Sequence, residues 1–84
     1  MDGGVLAAVR RFPAQQRAIE TLAASDESFQ SLCVDLADAE AALAGWQAST
    51  AAVREARCAE YRGLVEDLVR ELETVLEAGR HDDR

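Results

Sequence analysis

Two cysteines and one histidine, Cys33, Cys58 and His81, are the residue types in this chain with the most reactive chemistry. A thiolate could act as a nucleophile, and cysteine together with histidine could bind zinc. If two long helices fold back around a turn near Ser49, however, the cysteines lie roughly seven residues, or about 10 Å, out of register. A disulfide needs Cα atoms within about 7 Å. We therefore expect two free cysteines that pack as small apolar residues.

His81 and Asp82 could bind a metal or transfer protons if the fold held them rigidly. They lie in the polar run 79–84, after Gly79, which we expect to end the last helix. This run is therefore predicted to be a disordered tail. The acidic residues elsewhere lack the Glu-x-x-His motif of di-metal bundles, and no glycine-rich phosphate loop is present. The sequence thus predicts no catalytic, metal or cofactor-binding residue, no cofactor and no enzyme.

The composition limits the partners that the chain can bind. Its 84 residues carry a formal net charge of −7, and every basic residue except His81 is an arginine. A negative balance disfavours nucleic acid, because affinity for phosphates comes from cations. The first residues lack a signal peptide's basic and apolar regions, and no run of about 20 apolar residues could cross a membrane. We expect a cytoplasmic protein of bacterial type that binds neither nucleic acid nor membrane.

The elements that must position these residues are all predicted to be helices, within a single domain of residues 1–84. Alanine is abundant, proline occurs once, and strand-like alternation is absent. Pro13 suits the first position of a helix, and Ser25 is a predicted N-cap. The predicted segments, in order, are a weakly ordered leader or short helix (1–11), a short helix (13–24), two long helices (26–48 and 50–78) and the tail (79–84).

Both long helices carry apolar residues at coiled-coil spacing, which predicts an antiparallel helical hairpin preceded by the short helix. The stripe of the first contains Phe29, Leu32, Leu36, Ala39, Leu43 and Trp46. The stripe of the second contains Cys58, Tyr61, Val65, Leu68, Leu72 and Val75. The fold class is therefore all-α, with the hairpin as its main unit.

The second long helix has apolar residues outside its stripe, at Val69 and Leu76. Its apolar face is therefore broader than one partner helix covers, and two helices alone make a thin core at this length. Either the short N-terminal helix covers this face, or a second copy of the chain does. We predict that dimerisation completes a bundle, and the candidate interface comprises Phe12, Ile19, Leu22, Trp46, Leu68, Val69, Leu72, Val75 and Leu76.

The apolar spacing of the N-terminal half reads F-P-x5-I-x2-L-x6-F-x2-L, from Phe12-Pro13 to Leu32. It resembles the YdcH-like family of short bacterial proteins of unknown function over roughly residues 12–43. The second half departs from the family pattern, because Glu66 in the run from Gly63 to Asp67 stands where the family has a lysine. The resemblance implies a helical hairpin with a short leading helix and no known catalytic residues.

The predicted function is that of a helical interaction module acting through self-association, with a dimer favoured, or through an unknown protein partner. Its apolar stripes and the lack of a chemical site support this prediction. The alternative is a helical bundle that binds a small molecule in an apolar pocket near Cys33, Tyr61 and Leu64.

Overall fold

The computed structural model describes the backbone of residues 2–82 and the side chains of residues 2–79. Within that part of the chain there are four helices and no strand, so the prediction of an all-α fold is confirmed. The helices are α1 (Gly3–Arg11), α2 (Gln16–Ser25), α3 (Glu27–Gln47) and α4 (Arg54–Asp82). None of these helices is both long enough and apolar enough to cross a membrane.

Short polar residues and the single proline set the first helix boundaries. The Asp2 carboxylate accepts a hydrogen bond from the Val5 backbone N–H at 2.9 Å and so caps α1. Pro13 opens a short 3₁₀ turn, Pro13–Gln15, that leads into α2. The cap of α3 is Asp26, which accepts from the Phe29 N–H at 3.1 Å. The prediction of Ser25 as this cap is wrong, because Ser25 still belongs to α2 and donates to the Thr21 carbonyl.

The last helix is displaced from its predicted bounds at both ends. Residues 48–53 connect α3 to α4, and the Ser49 hydroxyl accepts from the Ala51 N–H within this connection. Gly79 does not end α4, since the helix continues to Asp82 and no described glycine has the positive φ of a left-handed cap. The side chain of His81 and residues 83–84 lie outside the described part, whereas the backbone of residues 79–82, predicted as part of a disordered tail, continues α4.

Helices α3 and α4 pack side by side over most of the length of α3. Leu32, near the start of α3, lies beside Glu71 and Val75 of α4. Ala42, further along α3, lies beside Tyr61, earlier in α4. The two helices therefore run in opposite directions.

The N-terminal segment, predicted as a weakly ordered leader or a short helix, forms the helix Gly3–Arg11 and packs against α3. Gly4 lies so close to α3 that a Cβ built on it would be 2.9 Å from the Val34 backbone nitrogen. At the other end of α1, the Arg11 guanidinium lies 2.8 Å from the Glu40 carboxylate. Helix α1 therefore runs alongside α3 in the same direction, from Val34 to Glu40.

Helix α2 returns along the bundle and brings its apolar residues into the same core as α4. Ile19 is completely buried in this core, and Leu22 packs against it. Val69 and Leu76, the apolar residues outside the stripe of α4, belong to the same cluster. The broad apolar face of α4 could be covered by the N-terminal segment or by a second copy of the chain. In the structure, the N-terminal segment packs into the cluster that contains this face.

The helices differ in length, and this divides the molecule into two regions. The overall dimensions are 52 × 22 × 21 Å. All four helices meet over residues 3–40 and 62–79, which we call the four-helix end. Beyond the ion pair of Arg11 with Glu40, only α3 and α4 continue, joined by their connection. We call residues 41–61 the two-helix tip.

Candidate interaction surface

Two depressions follow one another along the contact between α3 and α4, on the flank that α1 and α2 leave uncovered; together we call them the open groove. Its upper part is lined by Asp35, Asp38, Ala39, Ala42, Tyr61, Leu64 and Leu68. Its lower part is lined by Leu32, Asp67, Arg70, Glu71, Thr74 and Val75. From Tyr61 to Val75 it spans about 21 Å, or roughly four helical turns.

Helical geometry explains why this flank stays open. Cys33 lies next to Gly4 of α1, and Ala42 follows nine residues later, about 180° around α3 at 100° per residue. On α4, Val69 belongs to the core cluster that α2 completes, and Leu64 is about 140° away from it. The two N-terminal helices therefore occupy one flank of the α3–α4 pair, and the open groove lies on the other.

The floor of the open groove is apolar and only partly covered. Ala39 and Leu68 form its base and are buried, at 3% and 7% exposure. Tyr61 is half-buried beside them, whereas Leu64 is 45% exposed in the upper part of the groove. Burying the rest of Leu64 would contribute roughly 1 kcal/mol, about half the value for a fully exposed leucine, so this surface would gain from contact with another apolar surface.

The rim of the open groove is acidic. Asp35 and Asp38 line it from α3, and Asp67 and Glu71 line it from α4. Arg70, the one cation among the lining residues, pairs with Asp67. In the part of the chain whose side chains are described, no cation lies within ion-pair distance of Asp35, Asp38 or Glu71. The groove therefore combines an apolar floor with uncompensated negative charge.

The structure buries four of the nine predicted interface residues inside the chain itself. Ile19 and Leu72 have no exposed area, and Leu68 and Leu76 are 7% and 2% exposed. These four are core residues of the folded chain, because the other helices fill their apolar stripe. A partner could reach Ile19 and Leu72 only if those helices moved away, whereas Leu68 lines the open groove and Leu76 lines a depression between α2 and α4.

The other five predicted interface residues are partly exposed, and the structure distributes them over three places. Phe12, Leu22 and Val69 pack against the core cluster from α2, α4 and the residue that follows α1. Val75 lines the lower part of the open groove. Trp46 is half-buried near the end of α3, in the two-helix tip, whereas the other four lie at the four-helix end.

A second depression lies between the start of α2 and the last described turns of α4. Leu22 and Leu76 meet there, together with Arg17 and Gly79. It is the place where the predicted contact between the short helix and the broad face of α4 is made within one chain.

The three side chains of the predicted ligand pocket do not line one cavity. Cys33 is completely buried on the side of α3 that α1 covers, where Gly4 lies against its backbone. Tyr61 and Leu64 line the open groove on the opposite flank. Cys33 is separated from the other two residues because the approach of α1, which its glycine permits, closes the space around Cys33.

Both cysteines are free and buried, as predicted. Burial raises the pKa of the Cys33 thiol to about 11, and the negative charge of Asp2 contributes to the same shift. Such a thiol is a poor nucleophile at neutral pH because almost none of it is thiolate. Among the residues that were described, no group of three or more His, Cys, Asp or Glu side chains is placed to hold a metal ion.

Sequence reasoning missed Leu64 and the acidic residues beside it as surface features. The sequence predicted Leu64 only as a residue of the small-molecule pocket. The sequence already places Leu64 and Val69 on different sides of α4. One neighbouring helix cannot cover both sides, so at least one of these residues could have been predicted to lie at the surface. The short N-terminal segment covers the Val69 side and leaves Leu64 for solvent or a partner.

Comparisons with known proteins add no relationship to this geometry. No protein-family model matches the chain, and no curated protein or solved structure shows significant similarity to it.

Proposed function

We propose that this chain is a non-enzymatic helical interaction module that binds another helix in the open groove. The observation that carries the proposal is Leu64, which is 45% exposed above the buried Leu68 and Ala39. A single exposed apolar residue is common on monomeric proteins, but Leu64 continues an apolar strip with Leu68, Ala39, Ala42 and Tyr61, and contiguous apolar surface marks interaction sites. Grooves between helices commonly receive an amphipathic helix through residues spaced along one face.

The hairpin of α3 and α4 is the proposed working unit, and α1 and α2 stabilise it from the other flank. In this arrangement the module does not need a second copy to cover Val69 and Leu76, since both pack against this chain's own core. Two free, buried cysteines are compatible with the reducing cytoplasm in which we expect the protein to act. The similarity to the YdcH-like family stays a prediction.

The test compares Leu64→Ser with Leu6→Ser. Leu6 is 38% exposed on α1 and lies outside the open groove, so it is a matched control for the loss of an exposed leucine. Each protein is immobilised on a resin and exposed to a host lysate. We expect the wild-type chain and Leu6→Ser to capture the same helical protein, and Leu64→Ser to capture none of it. Circular dichroism should show equal helix content in all three proteins. Retention of the same partner by Leu64→Ser would contradict the proposal.

Self-association through the two-helix tip is the second candidate. Trp46 is half-buried there, and Val53 in the connection is 49% exposed. Because Trp46 is the only tryptophan, its emission reports on this region alone. Dimerisation at the tip predicts a red shift of the emission maximum on dilution, together with a concentration-dependent mass in sedimentation. A constant mass and a constant emission maximum over the same concentrations would exclude it.

A further inference from the structure

We infer that the occupant of the open groove is a basic amphipathic helix of a different protein. The inference rests on the proposed function, because it assumes that the groove receives a helix, and it adds the chemistry of that helix. The apolar floor requires apolar side chains along one face. The acidic rim requires lysines or arginines on either side of that face.

The charge on both sides of the groove supports this choice. Asp35 and Asp38 stand on the α3 side, and Glu71 stands on the α4 side, each exposed and without an ion-pair partner among the described side chains. Asp67 is already neutralised by Arg70. A helix lying over Leu64 would therefore pass between carboxylates on both of its flanks. Complementary charge at such a rim sets partner choice and the rate of association.

A second copy of this chain fits the groove poorly. Its net charge is −7, and an equivalent groove would bring carboxylates against carboxylates. Several of its arginines already have partners in their own chain: Arg11 with Glu40, Arg57 with Glu60, and Arg70 with Asp67.

The remaining arginines with described side chains are dispersed over the fold. Arg10 lies on α1, Arg17 on α2, and Arg62 on α4. Arg54 donates to the carbonyl of Gln47. Among the side chains of residues 2–79, no helix therefore presents a basic face as long as the groove, which spans about four turns.

The length of the groove also fits one short helix. A span of about 21 Å accommodates some 14 helical residues, and apolar side chains at positions i, i+3, i+4 and i+7 would follow its floor. Lysines or arginines flanking this stripe would lie within reach of Asp35 and Asp38 on one side and Glu71 on the other.

The experiment uses the full chain and two synthetic helical peptides of about 18 residues. Both peptides carry leucines at i, i+3, i+4 and i+7; one has flanking lysines and the other flanking glutamates. Fluorescence anisotropy of each labelled peptide measures binding. We expect the lysine peptide to bind at least about tenfold more tightly than the glutamate peptide, and its affinity to fall as ionic strength rises.

Two groove variants, each with a matched control, measure separately how much the apolar floor and the acidic rim contribute to peptide binding. Leu64→Ser removes the floor, and the triple variant Asp35→Asn, Asp38→Asn, Glu71→Gln removes the free rim charge. Leu6→Ser controls for the first. The triple variant Glu55→Gln, Glu66→Gln, Glu73→Gln controls for the second, since it removes as many charges from exposed positions outside the groove lining. We expect each groove variant to weaken the lysine peptide about tenfold and each control to leave it unchanged.

The outcomes distinguish this inference from the function on which it rests. If the glutamate peptide binds as tightly as the lysine peptide, and Leu64→Ser abolishes both, the groove is a docking site and the inference of a basic partner is wrong. If the lysine peptide binds all variants equally, its binding is unspecific, and both the proposed function and the inference of a basic partner are wrong. If neither peptide binds and the wild-type chain is a dimer that Leu64→Ser dissociates, the occupant is a second copy. If neither binds and the chain is a monomer, both proposals are overturned.

Discussion

At the four-helix end, Ile19, Leu36 and Leu72 are completely removed from solvent, whereas at the two-helix tip the least exposed apolar residue is the small Cys58, at 3%. Trp46 is only half-buried at the tip, and Val53 in the connection is 49% exposed. The helices are continuous between the two regions, so the difference comes from the number of neighbours. A helix in a pair buries one narrow stripe, and a broader face needs a third or fourth helix.

This difference predicts that stability is unevenly distributed along the same two helices. Local opening is easiest where few apolar contacts hold the backbone, so α3 and α4 should open at the tip before they separate at the four-helix end. The following predictions contrast the two regions, or the core with the surface, beginning with the largest expected effect.

Truncation of a core leucine tests the contrast most directly. We expect Leu72→Ala to lower the free energy of unfolding by about 2–5 kcal/mol, because it leaves a cavity at a site with no exposed area. A domain of this length has a total stability of about 4–13 kcal/mol, so much of it would be lost. The matched change Leu64→Ala, at a 45% exposed site, should cost less than about 1 kcal/mol. Urea denaturation followed by circular dichroism measures both, and equal costs would contradict the assignment of the core.

Glycine-to-alanine changes should have opposite signs in the two regions. A Cβ on Gly4 would meet backbone atoms of α3, 2.9 Å from the Val34 nitrogen and 3.0 Å from the Cys33 carbonyl carbon. We expect Gly4→Ala to destabilise the protein by about 1–3 kcal/mol, since α1 must move away from α3. Gly45 in the tip has open space around it, so Gly45→Ala should stabilise by about 0.5–1 kcal/mol through helix propensity. Thermal unfolding distinguishes the two directions.

The Cys33 thiol predicts a loss of stability at alkaline pH. Its pKa is raised by burial, and secondarily by Asp2, from 9.0 to about 11. Between these values the unfolded chain releases the proton while the folded chain retains it, so the free energy of unfolding should fall as pH rises from about 9 to about 11. Below pH 9 the thiol is protonated in both states and contributes no pH dependence. The variant Cys33→Ala should show a shallower decline over this range; an identical decline would exclude this cause.

The two cysteines also report on local opening. Each can be followed alone, in Cys58→Ala for Cys33 and in Cys33→Ala for Cys58. Because Cys58 lies in the tip, we expect iodoacetamide to alkylate it roughly tenfold faster than Cys33 in the folded protein. Mass spectrometry of timed samples measures the rates, and faster alkylation of Cys33 would reverse the order of stability proposed for the two regions.

The smallest effects should come from the exposed ion pairs. Arg11 and Glu40 connect α1 to α3 across 2.8 Å, with side chains 44% and 28% exposed. We expect Arg11→Gln to cost about 0.2–1 kcal/mol. Arg57 and Glu60 pair within one helix of the tip, so Arg57→Gln should cost less than about 0.5 kcal/mol. Chemical denaturation at low and high salt compares them, and a larger cost for Arg57→Gln would contradict this ranking.

The amino-acid sequence by itself determined the class of the fold. Abundant alanine, the single Pro13 and the spacing of the apolar residues predicted helices whose existence the structure confirms. The two free, buried cysteines were also predicted correctly from their register. Helix boundaries were less certain, because Ser25 and Asp26 are both good caps and only the local backbone decides between them.

Tertiary structure decided which apolar faces are covered. The surplus residues Val69 and Leu76 predicted a missing neighbour, for which the pattern led us to predict a second chain, with the leading segment as the alternative. The leading segment occupies the place because Gly4 lets α1 approach α3 at backbone distance and because α2 carries Ile19 into the core. The same packing closed the space around Cys33 and left Leu64 exposed between carboxylates. Helix periodicity shows how wide an apolar face is, but only the packed chain shows which side of it remains free.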